Sequence, residues 1–149
     1  MRTSNDRALV DTNVLVYAAD TSSSFHERSR QLRDRGCRGD VPLVVTPQVL
    51  MACFAVLTSP RRVSSPRASE EARAEVEQYV RADHILKIYP ESTALDRTVE
   101  LLHHHPQVAR QEIFDLFLVA TMMANGVTRI STYNPQHFTR FAGIEVLTP

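Results

Sequence analysis

Three oxygen-bearing side chains have the chemistry of a divalent-cation site, and they are Asp11, Asp115 and Asn134. Two carboxylates and an amide oxygen form a hard donor set, which suits Mg²⁺ or Mn²⁺ better than a soft metal. Protein-bound Mg²⁺ usually takes one or two carboxylates and completes its shell with water and substrate phosphates. The set therefore predicts phosphodiester hydrolysis in which a metal activates water and offsets phosphate charge.

Asp115 is the most informative of the three because its neighbours are apolar. The segment 113–124 is apolar on nearly every side, which is typical of a buried helix. A buried carboxylate has to be paired, bind a metal or stay protonated, since an isolated buried charge is very costly. The alternative to a metal is an ion pair with one of the arginines.

The other acids and the amide also have purely structural interpretations. Asp11 follows a short apolar strand and is equally suitable as the N-cap of the helix after it. Asn134 precedes a proline, a typical helix start, so capping is the ordinary role for it when taken alone. Glu112 lies on the same helical face as Asp115, and it either joins the site or interacts favourably with the helix dipole.

Histidines and arginines offer weaker candidates. The run 103–105 is three histidines, but adjacent helical residues point about 100° apart, so the three do not chelate one ion. His137 either contacts a phosphate or packs within the last short helix. Three arginines of the loop 59–67 are candidate phosphate contacts or simply solvated side chains: Arg61, Arg62 and Arg67.

Strand and helix patterns alternate along the chain. Strands are predicted at 8–10, 41–46, 85–89, 127–133 and 145–147, and helices at 14–18, 25–35, 47–57, 66–81, 92–104, 113–124 and 135–141. The alternation predicts a three-layer α/β/α domain with a central, mostly parallel sheet of four to five short strands. Ligands of such sheets bind beyond the carboxyl ends of the strands, which places Asp11 and Asn134 at one edge.

The composition is that of an ordinary globular protein. The 149 residues carry 17 basic and 17 acidic side chains, so no global basic field favours bulk nucleic-acid binding. We expect one domain over residues 1–149 in the cytoplasm, since no segment suits a signal peptide or a membrane span. A phosphotransfer domain using Asp11 is disfavoured, because it needs a lysine at a strand end and Lys87 is predicted to lie mid-strand.

Four segments occur in a recognisable order: Val10-Asp11-Thr12-Asn13-Val14-Leu15, Thr46-Pro47-Gln48-Val49-Leu50, Ile113-Phe114-Asp115 and Thr132-Tyr133-Asn134-Pro135-Gln136-His137-Phe138. Together they resemble the PIN-domain family, and within it the VapC-type ribonuclease toxins of type II toxin–antitoxin systems. The resemblance implies an acidic cluster that holds Mg²⁺ or Mn²⁺ for RNA cleavage. The metal-binding acids fall on Asp11 and Asp115, and the assisting position, Asp in many relatives and Asn in others, falls on Asn134.

The resemblance also implies partners and reveals a missing acid. It implies a homodimer and a small VapB-like antitoxin that inserts a segment near the acidic site. The family places a glutamate where this chain has Ala52, either by natural divergence or by a substitution made to silence a toxic nuclease. Losing that charge is expected to weaken metal binding and to relieve the repulsion that a third acid exerts on Asp11 and Asp115.

Two hypotheses therefore remain. The first is a metal-dependent endoribonuclease whose activity Ala52 weakens. The second is a catalytically silent module that keeps the fold and binds RNA or a protein. The residue at position 52 in the natural gene distinguishes them, because a glutamate there removes the main support for the silent module.

Overall fold

The computed structural model describes residues 6–149. Five strands form one sheet: β1 (Ala8–Val10), β2 (Leu43–Val45), β3 (Leu86–Lys87), β4 (Arg129–Ser131) and β5 (Glu145–Leu147). In this described part of the chain, six α-helices flank the sheet: α1 (Thr12–Ala19), α2 (His26–Cys37), α3 (Pro47–Leu57), α4 (Ser69–Arg81), α5 (Ala94–His104) and α6 (Glu112–Ala124). The strand order is β3-β2-β1-β4-β5 and all neighbours are parallel, which confirms the predicted α/β/α fold.

The centre of the sheet is buried on both faces. Leu9 of β1, Val44 of β2 and Ile130 of β4 are each completely inaccessible to solvent. Short strands made of consecutive apolar residues are expected wherever helices cover both faces of a parallel sheet. Within the described residues, no helix is both long and apolar enough to cross a membrane.

The pairing of β1 with β4 determines where the polar residues that follow these two strands meet. Val10 is in register with Ser131, and the backbone N–H of Asp11 donates to the Ser131 carbonyl at 3.0 Å. The residues that follow the two strands, Asp11 and Thr132, therefore lie side by side. This is the carboxyl edge of the sheet, where α/β proteins bind ligands.

The start of α4 differs from the prediction. A helix beginning at Pro66 was expected, but α4 begins at Ser69. The backbone N–H of Arg67 donates to the carbonyl of Leu57 at 2.7 Å, which holds this segment against the end of α3. A long-range backbone bond thus overrides the local preference of proline for the first turn of a helix.

The prediction that α6 is buried on every side is wrong for its first turn. Leu116 and the run 118–122 are buried, but Phe114 is 55% exposed and the Asp115 side chain is 28% exposed. Asp115 lies in the first turn, where the positive end of the helix dipole favours a negative charge. The exposed turn faces a cleft at the carboxyl edge of the sheet.

Candidate active site

A cleft of about 580 Å³ contains the three residues that the sequence singles out. Asp11 and Asn134 reach it from the segments that follow β1 and β4, and Asp115 reaches it from the first turn of α6. The structure therefore brings these distant side chains together, although their chemical roles stay a prediction. Ala52 of α3 also lines the cleft, so the position of the expected glutamate belongs to the same site.

Asp11 has a fixed orientation. It is the N-cap of α1, and its Oδ1 accepts a bond from the backbone N–H of Thr12 at 2.8 Å. Its Oδ2 accepts a bond from the hydroxyl of Thr132 at 2.7 Å and a longer one from Asn13 Nδ2 at 3.4 Å. Capping and a place in the cleft are thus compatible. Burial raises the pKa of Asp11, and the Thr132 hydroxyl opposes that rise.

Thr132 is a structural part of the site that the sequence did not single out. It is completely buried, and besides donating to Asp11 it accepts bonds from the Asn134 backbone N–H at 3.0 Å and from Asn13 Nδ2 at 3.3 Å. One hydroxyl has one proton to donate and two lone pairs to accept, so Thr132 is fully used. It joins the segments after β1 and β4. In the sequence it is a polar residue directly after a buried strand and the first residue of the segment 132–138, and neither signal indicates a bond to Asp11.

Asp115 is paired with a histidine and not with an arginine. His137 Nδ1 lies 3.2 Å from Asp115 Oδ2, and the half-exposed imidazole also lines the cleft. The alternative interpretation, an ion pair between Asp115 and an arginine, is wrong, because Asp115 pairs with His137 and the nearby Arg140 bonds to Glu112 Oε2 at 2.7 Å. Packing or capping within the last short turn does not describe His137 fully, because its Nδ1 is directed at Asp115 on α6.

The ionised forms of both acids are disfavoured in the folded chain. Burial raises the pKa of Asp115, and the charge of Asp11 raises it further, while His137 lowers it. The charge of His137 also lowers the pKa of Asp11. Desolvated carboxylates that repel one another are stabilised by a cation placed between them. The arrangement thus suits a hard divalent ion held by two carboxylates.

Asn134 is available to a ligand. It occupies the N-cap position of the 3₁₀ turn Pro135–His137, but its side chain makes no capping bond. The capping interpretation is therefore wrong, and the amide lines the cleft. Among residues 6–149, no group of three or more His, Cys, Asp or Glu side chains is arranged to hold a metal. A bound ion would depend on Asp11, Asp115, the Asn134 oxygen and water.

The remaining candidate residues differ in whether they line the cleft. Of the three arginines in the loop 59–67, Arg62 lines the cleft, whereas Arg67 bonds to the Ala19 carbonyl. Glu112 lines the cleft but is paired with Arg140, whose hydrogen bond lowers the pKa of Glu112. The three consecutive histidines lie at the end of α5 and outside the cleft. The prediction that Lys87 lies mid-strand is wrong, because Lys87 is the last residue of β3. Its ammonium donates to the Ala82 carbonyl and does not line the cleft, so the phosphotransfer hypothesis still has no lysine beside Asp11.

We predict that Asp115→Asn stabilises the folded chain at neutral pH when no divalent cation is present. The raised pKa means that ionised Asp115 opposes folding. The gain in the free energy of unfolding is therefore complete at a pH above the pKa of Asp115 in the folded chain. It disappears as the pH falls below the pKa of Asp115 in the unfolded chain. We expect the free energy of unfolding, measured by urea denaturation, to rise by a few tenths to about 1 kcal/mol.

Glu112→Gln is the matched control for this measurement. The pKa of Glu112 is lowered by Arg140, so its neutralisation is expected to change stability in the opposite direction at neutral pH. Adding Mn²⁺ should stabilise the unmodified chain more than it stabilises the Asp115→Asn variant. The unmodified chain has both carboxylates, and only its folded state brings them together to bind the ion. Destabilisation by Asp115→Asn at neutral pH without metal would contradict the electrostatic account.

The fold and cleft define a known class of protein. The chain belongs to the PIN-domain family, whose model matches residues 8–144. It is 30% identical to Ribonuclease VapC24 of Mycobacterium tuberculosis over 140 residues, 94% of each chain. The predicted membership and the likeness to VapC-type ribonucleases are therefore confirmed.

Solved structures of related folds agree with this assignment. The crystal structure of Mycobacterium tuberculosis VapC20, described as a sarcin-ricin loop cleaving toxin, has a TM-score of 0.65 and 14% identity and covers 92% of this chain and 98% of its own. VapBC2 of Rickettsia felis, bound to a DNA fragment from its promoter, also has a TM-score of 0.65 and 14% identity. The match covers 95% of this chain and 98% of the Rickettsia felis chain. At 14% identity, the likeness to these two structures shows the fold alone.

Proposed function

We propose that the chain is a VapC-type endoribonuclease that hydrolyses RNA phosphodiester bonds with Mg²⁺ or Mn²⁺ held by Asp11 and Asp115. The observation that carries the proposal is the meeting of these two acids, 104 residues apart in sequence, in one cleft with Asn134. Ribonuclease VapC24, a relative over almost the whole chain, supports RNA as the substrate.

The residues of the cleft have distinct parts in such a reaction. When bound, the cation supplies Lewis acidity that activates water and neutralises developing charge on the phosphate. Thr132 and the Thr12 backbone N–H hold the Asp11 carboxylate in one orientation toward the cleft. Asn134 assists through its side-chain oxygen or through water. We assign no side chain as the nucleophile, since water is expected to attack phosphorus.

Two further side chains, Arg62 and His137, line the cleft. Arg62 presents a guanidinium whose planar donors suit a phosphate of the bound strand. His137 holds Asp115 at 3.2 Å and so limits the positions that this carboxylate adopts. The Arg62 guanidinium adds positive charge beside the acids, which favours an anionic substrate over other ligands.

The proposal includes protein partners. We propose a VapB-like antitoxin that covers the cleft and places a cationic side chain against Asp11 and Asp115, where a charge-assisted bond to carboxylate is strong. Relatives solved as VapBC complexes, such as that of Rickettsia felis, support this partner. A homodimer remains an expectation of the family resemblance.

The proposed activity is tested by incubating the purified chain with a long, end-labelled RNA. We expect internal cuts in the presence of Mg²⁺ or Mn²⁺, no cuts in EDTA, and recovery when metal is added back. Cleavage that persists in EDTA would overturn the metal dependence. A chain prepared without its antitoxin is needed, because a bound inhibitor also prevents cleavage.

The silent binding module is the second candidate, and Ala52 is the observation that favours it. A methyl group lines the cleft where the family resemblance implies a third acid. This hypothesis predicts that the chain binds RNA or a protein but makes no cuts at any metal concentration. It also predicts that restoring a glutamate at position 52 produces no activity.

A further inference from the structure

A single hydrogen bond joins the helix that carries Asp115 to the helix that carries Ala52. Nε2 of Gln48, in the first turn of α3, donates to the backbone carbonyl of Phe114 on α6 at 2.8 Å. Only the nitrogen of a side-chain amide can donate, so this bond fixes which way the Gln48 amide faces. Within residues 6–149, no other hydrogen bond or ion pair connects α3 with α6.

The Gln48 end of this bond is supported by the sheet. The buried strand β2 ends at Val45, and Thr46 then caps α3 by accepting a bond from the backbone N–H of Val49 at 3.2 Å. Pro47 occupies the first position of the helix, where its fixed φ suits the helical backbone. Gln48 follows directly, so its backbone is held by a buried strand, a side-chain cap and a proline.

The start of α6 has much weaker local support. Its N-cap residue, Gln111, makes no side-chain capping bond. Arg110, directly before it, has a φ of 56°, a left-handed conformation that residues other than glycine adopt at a cost in free energy. The position of this turn therefore depends on contacts with other segments. Two of them are the Gln48 bond from α3 and the ion pair of Glu112 with Arg140 at 2.7 Å.

The carbonyl that Gln48 holds belongs to the same peptide unit as the backbone nitrogen of Asp115. Because a peptide unit is planar, restraining the Phe114 oxygen also restrains the Cα atom of Asp115. His137 restrains the other end of this residue, with its Nδ1 3.2 Å from Asp115 Oδ2. Asp11 is fixed independently at the end of β1 by its own hydrogen bonds. The separation of the two acids thus depends on how the first turn of α6 is held.

We propose that Gln48 is a positioning residue for the cation site. Its bond to the Phe114 carbonyl holds Asp115 at the separation from Asp11 at which both carboxylates bind one divalent ion. This inference rests on the proposed function and adds a residue that acts through Asp115. Such support matters because Mg²⁺ requires a nearly ideal octahedral geometry, and groups behind the ligands commonly alter metal affinity.

The competing explanation is that Gln48 merely stabilises the fold, and its own oxygen argues against this. Gln48 Oε1 is buried and has no hydrogen-bond partner within the described residues. A buried acceptor without a partner costs free energy comparable with the contribution of the Nε2 bond. Gln48→Met has a side chain of similar length without either polar atom. We therefore expect it to leave the urea concentration at the midpoint of unfolding nearly unchanged.

Calorimetric titration of the full chain with Mn²⁺ tests the proposal. We expect Gln48→Met to weaken Mn²⁺ binding about threefold to tenfold, which corresponds to the loss of one hydrogen bond. Gln48→Ala should show the same loss, since it also lacks the donor. Gln78→Met is the matched control, because it removes an amide that donates to Glu75 at 2.7 Å on α4, outside the cleft. It should leave the Mn²⁺ affinity unchanged.

The same titration in the Asp115→Asn background shows whether Gln48 acts through Asp115. Gln48→Met should cause no further loss of Mn²⁺ affinity there, because the carboxylate that it positions is already absent. Cleavage assays separate positioning from damage to the fold. The defect of Gln48→Met should shrink as Mn²⁺ approaches saturation, whereas a damaged fold would lower the rate at every metal concentration.

Three results would overturn the inference, and they bear differently on the proposed function. Full Mn²⁺ affinity in both Gln48→Met and Gln48→Ala would overturn the positioning role and leave the nuclease proposal intact. An equal further loss in the Asp115→Asn background would do the same, since Gln48 would then act independently of Asp115. Absence of Mn²⁺ binding by the unmodified chain would instead overturn the metal site of the proposed function, and this inference with it.

Discussion

Asp115→Asn is expected to cleave RNA at least about a thousandfold more slowly than the unmodified chain while remaining fully folded. Stabilisation of transition-state charge by a metal is worth several kcal/mol, and each 1.36 kcal/mol corresponds to a factor of ten in rate. Asp115 and Asp11 are the two cleft carboxylates proposed to hold the cation, and the asparagine amide of the variant has no charge with which to hold it. Initial rates on one RNA at saturating Mg²⁺ or Mn²⁺ measure the loss.

Glu112→Gln is the control for that loss. Glu112 lines the same cleft three residues earlier on α6, but its carboxylate is engaged by Arg140 at 2.7 Å. Removing this charge should change the cleavage rate by no more than a few fold. An equally severe loss in Glu112→Gln would show that Glu112 belongs to the metal site, and near-normal cleavage by Asp115→Asn would remove Asp115 from it.

Ala52→Glu is expected to raise cleavage and to lower the metal concentration needed for half-maximal rate. Position 52 lines the cleft, so a longer side chain has space to bring a third carboxylate toward Asp11 and Asp115. Even indirect partners of metal ligands change metal affinity by about 10- to 100-fold, and we expect at least tenfold here. The measurement is cleavage rate across a Mn²⁺ or Mg²⁺ titration.

Ala55→Glu is the matched control because it adds the same charge to α3 at an exposed position outside the cleft. It should leave the metal dependence unchanged. If Ala52→Glu cleaves no better than Asp115→Asn, the assignment of the site is wrong and the silent binding module is favoured. A gain in Ala52→Glu would instead show that the missing acid is what limits this chain.

The residues of the site were predictable where one strong physical constraint acted. Asp115 was notable because a charged side chain among apolar neighbours is costly unless it is paired or binds a metal. Asp11 was notable because it directly follows a buried strand. Parallel strands then brought Asp11 and Asn134 to one edge, as the register of β1 with β4 confirms. These inferences needed only burial, charge and the geometry of parallel sheets.

The partners of these residues were not predictable, because they depend on contacts between distant segments. The choice of His137 over an arginine for Asp115 follows from where the 3₁₀ turn after β4 lies, and no local pattern specifies that. The bond from Thr132 to Asp11 spans 121 positions of sequence. The exposure of Phe114 was missed because hydropathy alone does not indicate which end of an apolar helix meets a cleft.

The cleft also illustrates why functional sites reduce stability. Burial raises the pKa of both acids, and the charge of Asp11 raises that of Asp115 further, so the folded chain holds them ionised at a cost near neutral pH. A sequence optimised only for folding would neutralise them, which is the usual conflict between stability and activity. Their retention together in one cleft is understandable if a cation offsets the cost.

Mn²⁺ binding by calorimetry tests most directly the central claim that Asp11 and Asp115 hold one cation together. The unmodified chain should bind Mn²⁺, and Asp11→Asn and Asp115→Asn should each weaken binding at least about tenfold. The double variant should lose less than the sum of the two single effects, because both carboxylates serve the same ion. Unchanged Mn²⁺ affinity in either single variant would contradict the account. Fully additive losses of binding free energy in the double variant would also contradict it, because they would indicate two separate ions.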